Sequence, residues 1–365
     1  MNKNTIGYDV KYDVLDAFKR EALAAAKETA KGLLRAGFKE IPQSRGESCY
    51  LIEGHGLVLG FVVEGVGTLN IIAEEILAKT GKSYMAQIHR ANYATIHNDL
   101  TASGAYPLVA NGLISIGGEE YFANPAARAD AVRGWQEACL ETGASWGGGE
   151  TQKLRDIVVP NSAVLAGAAM GIIKPKKRWV RGNIKSGDVI VIVLSSGVHA
   201  NGVTMTRDTA NVLPLRYETE LPSGQTYGEA LLEAPHYLYG PLTQAALDAG
   251  IRIHYISNIT GHGWRKIMRL EEDFTHVIQA VPEPHPVFRF IQEHSGATVR
   301  TMYETFNMAG GTAYWMPRDD APIFLRLARG RGYPALKAGY SEKGPRRVHI
   351  EPIGVTFESD EYKVR

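Results

Sequence analysis

Apolar residues along this chain recur at two spacings, and the places where the spacing changes divide it into helices and strands. Between Asp13 and Leu34, alanines and lysines fall at helical spacing, which predicts an amphipathic helix stopped by Gly37, with Lys19, Lys27 and Lys31 on a solvated face. The runs Ser48–Glu53 and Leu57–Val63 flank Gly54-His55-Gly56 and predict a hairpin. Helices are predicted over Leu69–Lys79, Ser83–His97 and Pro125–Thr142, and a strand over Val109–Ser115. Within this pattern Ile88–Leu108, IHRANYATIHNDLTASGAYPL, reads as a one-faced helix ending at Asn98-Asp99-Leu100. Small residues follow, Gly104-Ala105-Tyr106-Pro107 breaks the period, and a strand begins at Leu108.

From Pro160 the pattern changes to a long apolar strand, SAVLAGAAMGII, and then a basic loop, KPKKRWVRGN. A domain boundary is expected there, dividing residues 1–174 from 175–365, with the basic loop serving as a solvated linker or as a phosphate contact. VIVIVLSSG is short and wholly apolar at its start, the signature of a strand buried on both faces. A helix follows Gly202; further helices are expected at Gly228–Glu233, Pro241–Ala249, His285–His294 and Asp319–Arg331. Strands are expected at Thr275–Val281, Gly311–Met316 and Leu336–Tyr340. Alternation throughout predicts an α/β (α+β) chain of two mixed domains.

Composition narrows the picture. A chain of 365 residues exceeds one ordinary core. With 44% hydrophobic and 22% charged residues it is an ordinary globular sequence, and a net charge of +1 gives no field favouring nucleic acid or an anionic membrane. Cys49 and Cys139 form neither a disulfide framework nor a metal pattern, in keeping with a cytoplasmic setting. The opening MNKNTIGYDVKYD lacks the apolar core of a signal peptide, and no apolar run reaches membrane-spanning length.

The 39 glycines cluster where the candidate chemistry lies. Asp99 follows Asn98 at the helix end, Glu64 stands in VVEGVGTLN and Glu150 in WGGGETQ. Alone, Asp99 would be a cap or turn-former. Together, three acids beside glycines supply hard oxygen ligands for Mg2+ and bare backbone for polyphosphate, so they are expected to form one constellation. SSGVHANG leaves a strand and opens a helix, a position suited to an anion; its His199 is a base, a phosphate donor or a helix cap. SNITGHGW carries Thr260 and His262 between glycines, and ETFNMAGG is a further glycine-rich loop. Neither common nucleotide motif is present. GHGLVLG has the wrong spacing for a dinucleotide fingerprint, and Gly81-Lys82-Ser83 lacks the earlier glycine of a P-loop, which would fall at Ile76.

SGDVIVIVLSSGVHANG, ITGHG and ETFNMAGG, in this order, resemble the aminoimidazole ribonucleotide synthetase (phosphoribosylformylglycinamidine cyclo-ligase) family, whose loops read roughly GDxxIGLxSSGxHSNG, HITGGG and RTFNMGxG. EGVGTLN resembles DGVGTK, NDLTASGAYPL a NDLxxxGAxPL pattern, and GGGET the sequence GGET, so the resemblance covers nearly the whole chain. It implies two α/β domains of that type, N-terminal halves paired in a homodimer, and ATP with Mg2+ near the interface. The nucleotide would meet Glu64, Gly65, Gly67, Thr68, Asn98, Asp99, Gly148, Gly149, Glu150, Thr151 and Asn201. Asp99, Glu64 and Glu150 would hold the metal, while His199, Asn258, Thr260 and His262 would handle the substrate.

The implied reaction is ATP-dependent ring closure of formylglycinamidine ribonucleotide in purine biosynthesis. The same superfamily contains formylglycinamidine ribonucleotide synthetase, selenophosphate synthetase, thiamine-phosphate kinase and a hydrogenase-maturation enzyme. A related amide-activating enzyme and a non-catalytic nucleotide-binding subunit are therefore the alternatives. The chain departs from the family pattern at Glu64 and Leu69 (aspartate and lysine of DGVGTK) and at Gln152-Lys153-Leu154-Arg155. It departs again at Asn258 (histidine of HITGGG), His262 (a glycine there) and Glu304 (arginine of RTFN).

Overall fold

The structure, a computed structural model, describes residues 12–362. Most of the polar N-terminal stretch assessed for a signal peptide lies outside the described residues. The described residues begin with helix α1 (Tyr12–Thr29), followed by a six-stranded sheet of β1 (Phe38–Glu40), β2 (Tyr50–Gly54), β3 (Leu57–Gly65), β4 (Tyr106–Ile116), β5 (Ser145–Lys153) and β6 (Ala163–Ile173). Their order is β1-β2-β3-β6-β4-β5, antiparallel except for the β4–β5 pair. Helices α2 (Leu69–Thr80), α3 (Met85–Thr101) and α4 (Pro125–Thr142) fall in the same half.

Alternation along the strands gives this sheet two unlike faces. Its inner face puts Val58, Val62, Ala110 and Ala169 against Tyr93, Ile96 and Leu100 of α3 and Trp135 and Ala138 of α4, all buried. Its outer face leaves Phe61, Val63, Leu113, Val164 and Met170 exposed. The register brings Phe61 opposite Met170 and Leu113 opposite Ala166, so these side chains form one apolar surface.

The second half contributes seven strands: β7 (Val189–Leu194), β8 (Tyr255–Asn258), β9 (Phe274–Ile278), β10 (Gly310–Met316), β11 (Ala335–Lys343), β12 (Arg347–Ile350) and β13 (Val355–Glu358), ordered β13-β12-β9-β11-β7-β10-β8. Strand β7 is buried on both faces, as its apolar run predicts. Ile190 and Ile192 join a core that also holds Trp264 and Phe288, while Val189, Val191 and Val193 meet Leu242 of α7 (Gly240–Asp248) and Phe324 of α10 (Ala321–Gly330). The first of these cores also takes in Leu69, Ile72 and Ile88 from α2 and α3, so the two halves share apolar packing. The other helices of this half are α5 (Val203–Val212), α6 (Tyr227–Leu232), α8 (Pro286–Ser295) and α9 (Val299–Thr305).

Several expectations change. The helix carrying Asp99 ends one residue beyond the expected Leu100, at Thr101, so Asp99 lies within its last turn rather than capping it. The following strand starts at Tyr106 rather than Leu108, absorbing Pro107 at a bulge before Val109. WGGGETQ is strand, not loop: it forms the parallel edge β5, and Gly148 and Gly149, at φ of 105° and 151°, take up a register shift that a side chain would strain. Short β1, β8, β12, β13 and α9 were not distinguished by periodicity.

Candidate active site

Helix α3 ties the two halves together through polar side chains. Asn98 donates its Nδ2–H to the Tyr237 carbonyl and accepts from the Tyr239 N–H, both at 2.9 Å. Arg90 donates to the carbonyl of His236 at 3.0 Å. Asp99, one residue along, is buried and accepts at Oδ1 from the Asn258 amide at 2.7 Å, where β8 ends. These contacts border a cavity of about 340 Å³ between the halves.

Of the residues expected from sequence, Glu64, Gly65, Asn98, Asp99, His199, Asn201, Asn258, Thr260 and His262 line this cavity. Gly67 and Thr68 lie just beyond Gly65, at the start of α2. Gly148, Gly149, Glu150 and Thr151 do not line it. Glu150 pairs with Leu113 and so points to the outer face of the sheet, whereas alternation turns Glu64 the opposite way from exposed Val63. The three acids therefore do not form one constellation in a single chain. Among the described residues no group of three or more His, Cys, Asp or Glu side chains is gathered for a metal ion. Asn98 is also recast: both ends of its amide are committed to the 237–239 backbone, so it shapes the cavity.

The three glycine-rich loops of the second half converge through Asn307. Its Nδ2 donates to the carbonyls of Gly197 and Val198, and its Oδ1 accepts from Ser195 Oγ and the Ala309 N–H, all at 3.0 Å. The Trp264 indole N–H donates to the Asn307 carbonyl at 2.9 Å, which adds the ITGHG loop. ETFNMAGG thus braces the other two loops from behind. Gly263 fits only as glycine, with φ of 56° and an added Cβ colliding with the Tyr303 carbonyl.

Burial and neighbouring charges shift the titrating groups that line the cavity. The Glu64 carboxyl is held above its ordinary pKa by desolvation and then by the charge of Asp99, with Lys266 opposing. Glu64 keeps accessible surface as a residue, and desolvation of its carboxyl is the larger cause of that shift. Burial pushes His199 down to about 3, with His285 adding to the effect. His199 Nε2 accepts from the Ser196 N–H at 3.2 Å, leaving the ring proton on Nδ1, and its ring stacks on His236 at 4.4 Å. His262 is likewise pushed to about 3, first by burial and then by Arg265, Lys266, Lys19 and Arg269. It occupies the cap position before the short helix Gly263–Met268 at φ of 71°, with no side-chain capping bond. Burial and neighbouring cations therefore favour the neutral form of both imidazoles near pH 7.

Sequence reasoning missed Lys19, His236, Tyr239, Lys266, Arg269 and Tyr362, which also line the cavity. Lys266 and Arg269 sit three apart just after the ITGHG loop, a spacing that could have drawn attention to them. His236 carries no comparable signal.

The fold is shared with solved structures that include complexes with ATP or AMPPCP. The AaThiL complex with AMPPCP and TMP superposes with a TM-score of 0.58 over 86% of this chain and 90% of its own, at 12% identity. Escherichia coli HypE, a hydrogenase maturation protein, gives 0.55 over 75% and 79%, at 19% identity. No family model matches the chain. Curated relatives are nevertheless clear. Phosphoribosylformylglycinamidine cyclo-ligase of Rippkaea orientalis is 30% identical over 259 residues, 70% of this chain and 74% of that one. The protein of that name from Synechocystis is 31% identical over 66% and 71%, and that of Methanocaldococcus jannaschii 29% over 76% of each. The chain belongs to the phosphoribosylformylglycinamidine cyclo-ligase family.

Proposed function

We propose that this protein is an ATP-dependent cyclo-ligase that closes the imidazole ring of aminoimidazole ribonucleotide from formylglycinamidine ribonucleotide. The observation that carries the reading is one cavity in which Asp99 and Glu64 face the His199–Asn201 and Asn258–His262 loops, in a chain of this family. In the reaction, the formyl amide oxygen attacks the γ-phosphorus of ATP and the bond to the ADP oxygen breaks. The amidine nitrogen then attacks the activated carbon, a proton leaves that nitrogen, and the carbon–oxygen bond breaks to expel phosphate. Ring closure is intramolecular, so holding the substrate folded supplies much of the acceleration.

Two neighbouring carboxylates in a cavity open to a ligand suit Mg2+, which takes oxygen donors and keeps much of its water. Asp99 and Glu64 would hold it, and bound there it would neutralise triphosphate charge during transfer. Asn258 orients Asp99 through its amide. Gly65, Gly67 and Thr68 would offer backbone N–H groups to phosphate, and His199, Asn201, Thr260 and His262 would bind the acceptor as neutral donors and acceptors. Residues 1–174 would carry nucleotide binding and dimerisation, and residues 175–365 would complete the site.

The bare apolar face of Phe61, Val63, Leu113, Val164 and Met170 supports a homodimer through the N-terminal sheet, since a face of this kind is costly to leave in water. Glu150 shares that face, so in the dimer the Gly148–Thr151 segment would act at the interface. The reading is tested by incubating the protein with formylglycinamidine ribonucleotide, Mg2+ and ATP and detecting aminoimidazole ribonucleotide by mass. Absence of product with folded protein would contradict it.

A further inference from the structure

The cavity contains a cation whose role neither the family pattern nor the fold explains. Among the described residues, three with lysine or arginine side chains line it: Lys19, Lys266 and Arg269. Arg269 is committed, donating to Ser48 Oγ at 2.8 Å and the Gly46 carbonyl at 3.0 Å beside Glu47. Lys19 is engaged within the chain as well. Lys266 differs: among the described residues its ammonium has no ion pair within 4.0 Å and no hydrogen bond, although its main-chain carbonyl accepts from Ser257 Oγ at 2.7 Å.

Its direction follows from the helix that carries it. Gly263–Met268 is a 3-10 helix, in which residues three apart share a face. Trp264 and Ile267 are fully buried in the core, which leaves Lys266 and Arg269 on the side of the cavity. Asp99 and Glu64 stand near enough to favour its charged form, against burial and the Arg269 charge, which together bring it down to about 8. Position 69, where the family pattern has lysine, is Leu69, 1% exposed in the apolar core and unable to supply a cation.

We propose that the Lys266 ammonium is the cationic contact to a phosphoryl oxygen of the ligand bound in this cavity, beside Asp99 and Glu64. An unpaired lysine opposite two acids that would hold a metal has the place a polyphosphate requires: the metal and the ammonium grip the same anion from two sides. The inference rests on the reading of the cavity as a phosphoryl-transfer site. The oxygen belongs either to the triphosphate of ATP or to the phosphate ester of the acceptor.

Lys266→Met, which keeps the apolar stem, and Lys266→Arg, which keeps the charge, test it by titration calorimetry with Mg·ATP and by the KM for formylglycinamidine ribonucleotide. Melting temperature is the check on folding. If the contact is to the nucleotide, Lys266→Met weakens Mg·ATP binding roughly 10- to 100-fold, as loss of a charge-assisted hydrogen bond predicts, and Lys266→Arg recovers most of it. A comparable rise confined to the KM for the ribonucleotide places the contact on the acceptor phosphate and also supports the proposal. Folded Lys266→Met with both values unchanged overturns it. Wild-type protein that binds Mg·ATP through Lys266 but makes no product would overturn the cyclo-ligase reading and leave this contact standing.

Discussion

The Asn258 amide donates to Asp99 Oδ1 at 2.7 Å across the junction of the two halves, joining the end of β8 to the last turn of α3. One of the two residues at which the chain departs from HITGGG thus acts on the best-buried acid of the site. An amide neither gains nor loses a proton near neutral pH, so Asp99 is held by a permanent dipole.

Asp99→Asn tests that arrangement. It keeps the shape and removes the charge, so Mg·ATP use should fall at least about 100-fold, the scale on which removing one positioned electrostatic group acts. Circular dichroism should stay native. Turnover within a few-fold of wild type would remove Asp99 from the metal site.

His262 sits at φ of 71°, where the family pattern has glycine. The left-handed conformation costs a non-glycine residue about 1 kcal/mol, partly offset by the backbone entropy that glycine loses. His262→Gly should therefore be as stable as wild type or more so. If the imidazole binds the acceptor, the same variant should lose turnover by roughly 10-fold or more, as when one hydrogen bond to substrate is removed. Unchanged turnover would leave His262 without a part in the reaction.

Phe61 and Met170 are directly paired on the bare outer face. Lysine at both positions places like charges opposite each other where a second copy would dock. Sedimentation velocity should show wild type at twice the chain mass and the Phe61→Lys, Met170→Lys variant at the chain mass. A monomeric wild type at micromolar concentration would contradict the dimer.

The large elements were legible because their periods are long and clean: α4 has the limits expected for it, and β7 announces burial on both faces. The edge strand β5 was not, because three consecutive glycines read as loop when the ladder partner β4 is unknown. The same missing knowledge of sheet faces made Glu150 look like a companion of Glu64 and Asp99. Asn258 and Asp99 were each recognised as candidates, yet their contact spans 159 positions and no local pattern encodes it. Lys266 and Arg269 carry only their three-residue spacing as a signal, and the packing of Trp264 and Ile267, which turns that face toward the cavity, is not legible in the sequence.

Acid should destabilise the fold early. Burial pushes His89 down to about 4 and His97 and His276 to about 3, from an ordinary value of 6.5. Below pH 6.5 the unfolded chain takes up protons that these folded imidazoles refuse. Stability is therefore complete above about pH 6.5 and is lost as the pH falls toward 4, by at most about 1.4 kcal/mol per pH unit for each histidine. Melting temperature should drop steadily between pH 7 and 5, and His89→Gln should flatten that slope. A flat profile over this range would show that the rings are not held neutral.

Cyclo-ligase activity is decided by ADP release from purified protein with Mg·ATP and formylglycinamidine ribonucleotide, run beside a panel of other amides. A cyclo-ligase should yield ADP and aminoimidazole ribonucleotide in equal amounts with the ribonucleotide, and only background with the panel. ADP formed faster with another amide, or formed without ring closure, would contradict it.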